Sequence, residues 1–473
     1  MAATSVPQLI AYAETAGYPG YHGLASAGLP LLAWVRLSSC GHFVISSSSQ
    51  SLATPSPSGH FVGLQGMVTG SPFMNAGVTS ITALMTKSDL DGESFVNEYG
   101  EERYIELVAA YSMWVGIASA VLAVVGFGKV AQGVPNAVKR GFKYGCSVGV
   151  LVSALPNGLF ARGGKQLKGL VASSSCWGFI VKELKARAPA ATGAINVTGL
   201  IFSLTHPSEW SLSPTALFLI GTWFVMDGKK LLPKSLPPGT EVILVTAFAT
   251  VYSVAFNYEG GVVGEIPDLD PDSGFKILGL NLPVKLLDFQ KVLDAPLAER
   301  FGGYLFLFIS ATLFAAVNFL SIMGIASGFE SENGIEWSAP QELMSQGVSC
   351  GVAALVGSAP VSGSMSRSLV SRMTGTTSQL ACILTALIWI FMLPYMSVMT
   401  PTPKAALSSV IVSAVVKSVL VPKDLMKLEG LDFVSGWTTG IITAITSPTI
   451  GFGFGLIFHG LLQMASPKKA KMD

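Results

Sequence analysis

Long apolar runs separated by short polar ones set the pattern of this chain. A helix that crosses a bilayer needs about 20 mainly apolar residues. Runs at 105–127, 213–226, 241–258, 304–326, 379–398, 405–420, 433–447 and 451–464 read as spanning helices. Those at 23–35, 142–159 and 343–357 are weaker versions of the same pattern. Two more, 72–85 and 364–373, are short and interrupted, the second following the breaker run Gly357-Ser-Ala-Pro-Val-Ser-Gly363. With an incomplete run at 7–16, the pattern predicts an all-α integral membrane protein of about fourteen spans.

Composition supports that class. Only 12% of the 473 residues are charged and half are hydrophobic, whereas a soluble domain carries about 25% charge. Such a chain can neither coat a soluble fold nor remain disordered in water. A net charge of +1 gives no reason to expect a nucleic-acid partner. The five cysteines have no CxxC spacing, so they read as small core hydrophobes, not as a disulfide framework. The histidines show no ligand spacing, and no metal or cofactor is expected. No phosphate-binding loop, nucleophile elbow or pair of catalytic carboxylates is present, so an enzyme has no residues to rest on. The N-terminus has no basic stretch and Glu14 interrupts its apolar run, which argues against a signal peptide.

Charges between the runs test a topology. Four basic clusters fall on one side if both termini are cytoplasmic: Lys129 to Lys143, Lys229 to Lys234, Lys417 to Lys427, and Lys468 to Lys471. That is the positive-inside arrangement. The basic stretch from Arg162 to Arg187 falls outside and disagrees.

Short, broken apolar segments placed alike in two halves point to a transporter binding site. One is Thr69-Gly70-Ser71-Pro72-Phe73, near the third span; the other runs from Gly357 through Pro360 and Gly363 to Ser364, near the tenth. The sharpest feature follows: Val361-Ser-Gly-Ser-Met-Ser-Arg-Ser368. An Arg at membrane depth is costly and marks function by default. A helix restarting there offers free N–H groups and a positive dipole end. With Arg367 and the hydroxyls of Ser364, Ser366 and Ser368, the segment supplies donors and no carboxylate, which is anion chemistry. The plainer readings are a loop Arg snorkelling to the interface and kinked, packed helices. If Pro72-Phe73 also begins a half-helix, two positive ends converge, with Phe73 as a wall. Gln8 and Tyr12, four apart, share one helix face that can look into the same cavity or bond a neighbouring helix. Gly451 and Gly455 read as close helix packing. The sequon at Asn196 is a weak match.

These residues together resemble the SulP family of anion transporters. The resemblance is carried by Pro7-Gln8, Ala11-Tyr12-Ala13, Ala16-Gly-Tyr-Pro19 and Gly23-Leu24 at the first span. Further blocks are Gly261-Val-Val-Gly-Glu-Ile-Pro267, Pro340-Gln-Glu342 with Gly347, and Pro403-Lys-Ala405 with Leu407. The most specific is Gly363-Ser-Met-Ser-Arg-Ser368 followed by Gly375, Thr377 and Gln379-Leu-Ala381. The resemblance implies a seven-plus-seven inverted repeat: residues 1–258, a connecting loop at 259–301, residues 302–466, and a basic cytoplasmic tail at 467–473. It implies an anion held between half-helices three and ten by Gln8, Tyr12, Phe73, Met365, Ser366 and Arg367, and elevator-like motion of a core domain against a gate. The expected function is transport of small inorganic anions. Sulfate leads, then exchange of bicarbonate and chloride; a nucleobase or ascorbate permease and a non-transporting anion-responsive protein are the rivals. The expected setting is a multi-pass protein of the plasma membrane or an organelle, with a homodimer among the assemblies allowed. Departures from the pattern are Ser71 for a frequent Gly, Pro340 for a frequent Asn, and Asn318 for a frequent acid, which points away from cation symport. The short N-terminus reads as a truncated first span, and the end near Met464 as absence of the cytoplasmic STAS domain.

Overall fold

A computed structural model describes residues 2–33, 74–187, 192–230, 239–264, 275–277, 280–282, 286–333, 337–364, 367–368 and 380–465, with isolated positions between. In chain order the main elements are α1 (Ala2–Ala16), α2 (Gly20–Ala25), β1 (Ala76–Gly77), α3 (Ser80–Leu90), α4 (Glu101–Val124) and α5 (Asn136–Leu159). Then come α6 (Thr192–Thr205), α7 (Leu212–Asp227), α8 (Thr240–Ala255), a β2–β3 hairpin (Phe275–Ile277, Leu280–Leu282), α9 (Tyr304–Asn333) and α10 (Ala339–Leu355). The last are β4 (Ser362–Gly363), α11 (Leu380–Met392), α12 (Lys404–Leu420), α13 (Gly430–Ile445) and α14 (Pro448–Ala465).

The apolar runs became helices for the reason the pattern suggested: backbone polar groups in hydrocarbon must be satisfied within the segment. Among the described residues four helices are long and apolar enough to cross a membrane: Glu101–Val124, Tyr304–Ala326, Leu380–Met399 and Lys404–Met426. The protein is an integral multi-pass membrane protein. Its outer surface is apolar: Val124, Leu212, Val251 and Ile457 are each at least two-thirds exposed, which only a lipid solvent tolerates in such numbers.

The helices sort into two bundles. In the first, α4 packs on α9 and α10, while α1 packs on α2, α3 and α11. In the second, α5 is the hub for α6, α7, α12, α13 and α14. Small residues set the closest crossings. A Cβ on Gly116 of α4 would stand 2.7 Å from the Gly347 carbonyl of α10. Gly141 and Gly145 of α5 meet Gly436 and Gly440 of α13 in the same way. Gly455 lies against Thr439, where an added Cβ would be 2.6 Å from the threonine Cγ2, so the Gly451/Gly455 pair seats α14 on α13 within one chain.

Two segments differ from the span reading. In the described part of the short run at 72–85, residues 74–79 are not helical and the helix begins at Ser80. The basic stretch 162–187 forms two helices, Gly163–Ser173 and Ser175–Arg187, the first bent by 92° from α5. A further helix, α6, stands where no span was read. Its 14 residues are too few to cross unaided, and Gly193 is pressed against Ala444 and Thr446 next to α13. The sequon falls inside α6, where buried Thr198 donates its hydroxyl to the Ala194 carbonyl, 2.8 Å away.

Candidate anion-binding site

The two broken segments meet in the first bundle. β1 pairs antiparallel with β4, Ala76 opposite Gly363 and Gly77 opposite Ser362. Each strand is two residues long, which suffices because the flanking groups continue the pairing. Ser364 N–H donates to the Asn75 carbonyl at 2.9 Å. Asn75 N–H donates to Ser368 Oγ at 3.0 Å. Gly363 lets the strands cross closely, since a Cβ there would displace the Met74 thioether. Neighbours pin the extended backbone: Asn318 Nδ2 donates to the Val361 carbonyl at 2.8 Å, and Val78 N–H donates to Ser26 Oγ at 3.1 Å.

Out of this crossing run two helix starts. Ser368 N–H donates to the Ser364 carbonyl at 2.9 Å, the first i to i−4 bond of the tenth segment. On the other side α3 starts at Ser80 with Thr79 as N-cap. Thr79 Oγ1 accepts from Thr82 N–H (3.3 Å), and Thr82 Oγ1 accepts from Thr79 N–H (3.0 Å), a capping box. The box serves the third N–H of the helix. The Ser80 and Ile81 N–H groups have no partner among the described residues and face outward along the positive end of the dipole.

Arg367 joins the two. Its side chain is buried, and Nη1 and Nη2 both donate to the Val78 carbonyl at 3.2 Å. Its Nε is buried with no partner among the described residues. No carboxylate pairs with it among them either. Gly77 makes room: a Cβ there would stand 3.0 Å from Nη2. Tyr12 on α1 completes the wall, its hydroxyl beside Ser80 and within charge range of Arg367. A buried guanidinium without a counter-charge costs several kcal/mol by itself. Beside it lie the start of α3 and the hydroxyls of Tyr12 and Ser80, a set of donors with no described carboxylate.

Of the sequence candidates, Tyr12, Ser364 and Arg367 are brought together here. Gln8 lies one turn before Tyr12 on α1, partly exposed. Pro360 and Gly363 belong to the extended approach and the strand crossing. Asn318 holds that approach through Val361. Phe73, Met365 and Ser366, with Gly70, Ser71 and Pro72, lie outside the described residues. The reading put a conditional helix start at Pro72-Phe73, which lies outside the described residues; among the described residues the helix starts at Ser80. The residues it missed are Gly77, Val78, Thr79 and Ser80. Thr79 and Thr82, spaced as a capping pair before the apolar residues of α3, were the available signal.

The fold is that of a multi-pass membrane protein with a buried Arg beside the N-terminus of a helix. The sequence profile of the Sulfate permease family matches residues 1–439, and the chain belongs to that family. It is similar to prestin of Danio rerio, 27% identical over 411 residues, which cover 86% of this chain and 48% of the relative. It is similar to the chloroplastic sulfate transporter 4.1 of Arabidopsis thaliana, 25% identical over 472 residues, 96% of this chain and 56% of the relative. The chain thus spans about half the length of the curated relatives it matches. Its fold is that of the murine Solute Carrier 26 family member A9 anion transporter, solved in an inward-facing state, with a TM-score of 0.70 at 18% identity over 98% of this chain and 66% of that one.

Proposed function

We propose that this chain carries small inorganic anions across a bilayer by alternating access, with sulfate as the leading substrate. The observation that carries the reading is Arg367, buried and unmatched by any described carboxylate, beside the N-terminus of α3. Two helix ends contribute about half an elementary charge each. With Arg367 the site then holds about two positive charges, which suits a divalent oxyanion. The antiparallel crossing of β1 and β4 supports reading 1–258 and 302–466 as inverted repeats, with the third and tenth segments as half-helices. With cytoplasmic termini, α3 points its N-terminus to mid-membrane and its C-terminus outward. Asn318, an amide that cannot take up a proton, favours exchange or uniport over cation symport. The name of the plant relative is consistent with sulfate.

The test is uptake of radiolabelled sulfate into vesicles holding the purified protein, with bicarbonate and chloride as competitors. Saturable uptake that Arg367→Ala abolishes without loss of folded protein is the expected result. Uptake at the wild-type rate in that variant would overturn the site. Stronger competition by bicarbonate or chloride than by sulfate itself would replace the substrate.

A further inference from the structure

The two bundles meet where α1, α3 and α9 of the first lie against α8, α12, α14 and α5 of the second. A pair of side-chain links crosses that boundary. Glu14 on α1 forms an ion pair with Lys404, the first residue of α12, with Oε1 and Nζ 3.2 Å apart. The Glu14 side chain is 11% exposed and that of Lys404 35%, so solvent screens this pair less than a surface one. In the last turn of α3, Asp89 accepts from the hydroxyl of Thr449, in the first turn of α14, with both carboxylate oxygens 3.0 Å from Oγ1.

Asp89 is held firmly on its own side. The Tyr111 hydroxyl of α4 donates to it at 2.8 Å, and that hydroxyl lies 3.0 Å from Ser310 Oγ of α9. Arg300 fixes the end of the helix, Nε donating to the Leu90 carbonyl at 2.7 Å and Nη2 to the Asp91 carbonyl at 3.2 Å. A cation on the last carbonyls complements the negative helix end.

Both acids ride on the helices that carry the anion site. Glu14 is two residues beyond Tyr12, and Asp89 is nine beyond Ser80, about 13 Å along the helix axis. A rigid helix cannot move its site end while its far end stays bonded to the other bundle. We infer that Glu14–Lys404 and Asp89–Thr449 are positioning pairs that hold the two bundles together. Movement of the anion site against the second bundle requires both pairs to part. The inference rests on the alternating-access reading above. None of the four side chains needs to touch the anion.

The experiment reads exposure directly. Ser80→Cys is placed in a chain with Cys40 and Cys176 changed to serine. Its labelling by a membrane-impermeant maleimide is measured from each membrane face, and labelling of the same chain without Ser80→Cys is subtracted. Adding Lys404→Met with Thr449→Val, both on the bundle away from the site, is expected to raise labelling from one face at least fivefold. Unchanged labelling from both faces overturns the inference. The exchanged pair Glu14→Lys with Lys404→Glu is expected to return labelling to within twofold of the starting chain. Where that exchange does not fold, Glu14→Gln and Lys404→Met are compared singly and together. A combined effect no larger than either alone supports the pair, and an effect equal to their product overturns it. Sulfate uptake is measured on the matching chains that keep Ser80. A labelling shift in a chain without saturable uptake keeps the inference and removes the transport reading. Uptake without a labelling shift does the reverse.

Discussion

At the scale of single residues, the site depends on how close Arg367 can come to a carbonyl. Two N–H groups of one planar fork reach the Val78 oxygen. Lysine offers a point charge and no fork. Arg367→Lys is therefore expected to keep the charge and lose the geometry, weakening sulfate binding at least tenfold in a calorimetric titration. Gly77→Ala puts a methyl 3.0 Å from Nη2 and 3.5 Å from Leu9 Cδ2. Overpacking of this kind costs about 1–3 kcal/mol, so a lowered melting temperature should accompany weaker binding. Tyr12→Phe removes a hydroxyl that lies beside Ser80 and Arg367. A neutral hydrogen bond contributes about 1 kcal/mol, so KM for uptake should rise roughly fivefold with the maximal rate nearly unchanged.

At the scale of elements, what matters is where a helix is allowed to begin. α3 begins at Ser80 because Thr79 and Thr82 cap each other's backbone N–H groups. Losing an N-cap costs about 1 kcal/mol. Thr79→Ala should lower stability by that amount and fray the start of α3, so binding at the proposed site should fall with stability. The antiparallel crossing is held from outside by Asn318, whose amide donates to Val361. Asn318→Asp replaces that donor by an acceptor facing a carbonyl. The expected outcome is a destabilised protein at neutral pH whose melting temperature recovers as the medium is acidified enough to protonate the new carboxyl. Helix contacts are just as local. Gly455→Leu would drive a side chain into Thr439 of α13, and a large loss of folded protein should follow in detergent-extracted material.

At the scale of the molecule, two bundles share one boundary and the site lies in only one of them. Ligand binding to such a site is visible as stability. A ligand that binds only the folded state stabilises it by about 2.7 kcal/mol at a hundredfold excess over Kd. Sulfate should accordingly raise the melting temperature of the wild type in a concentration-dependent way, and the rise should vanish in Arg367→Ala. A rise of equal size in the variant would place sulfate elsewhere on the protein.

Much of this was legible in the residues themselves. Low charge and long apolar runs determine a membrane protein, because no water-facing surface can be made from them. Those runs became helices with ends shifted by a few residues, since hydrocarbon leaves the backbone no other partner. Arg367 between Gly363 and apolar runs, with hydroxyls and no acid, already described anion chemistry. The partner of that Arg was decided only in three dimensions. The described contacts to that Arg come from Gly77 and Val78, and the helix end beside it from Ser80, residues whose side chains are small or apolar. What they contribute is a carbonyl, a missing Cβ and a helix end, and none of these is a property of a side-chain type. Nor does the local sequence pair Glu14 with Lys404 or Asp89 with Thr449. Residues 390 and 360 positions apart meet only because helices from distant parts of the chain pack together.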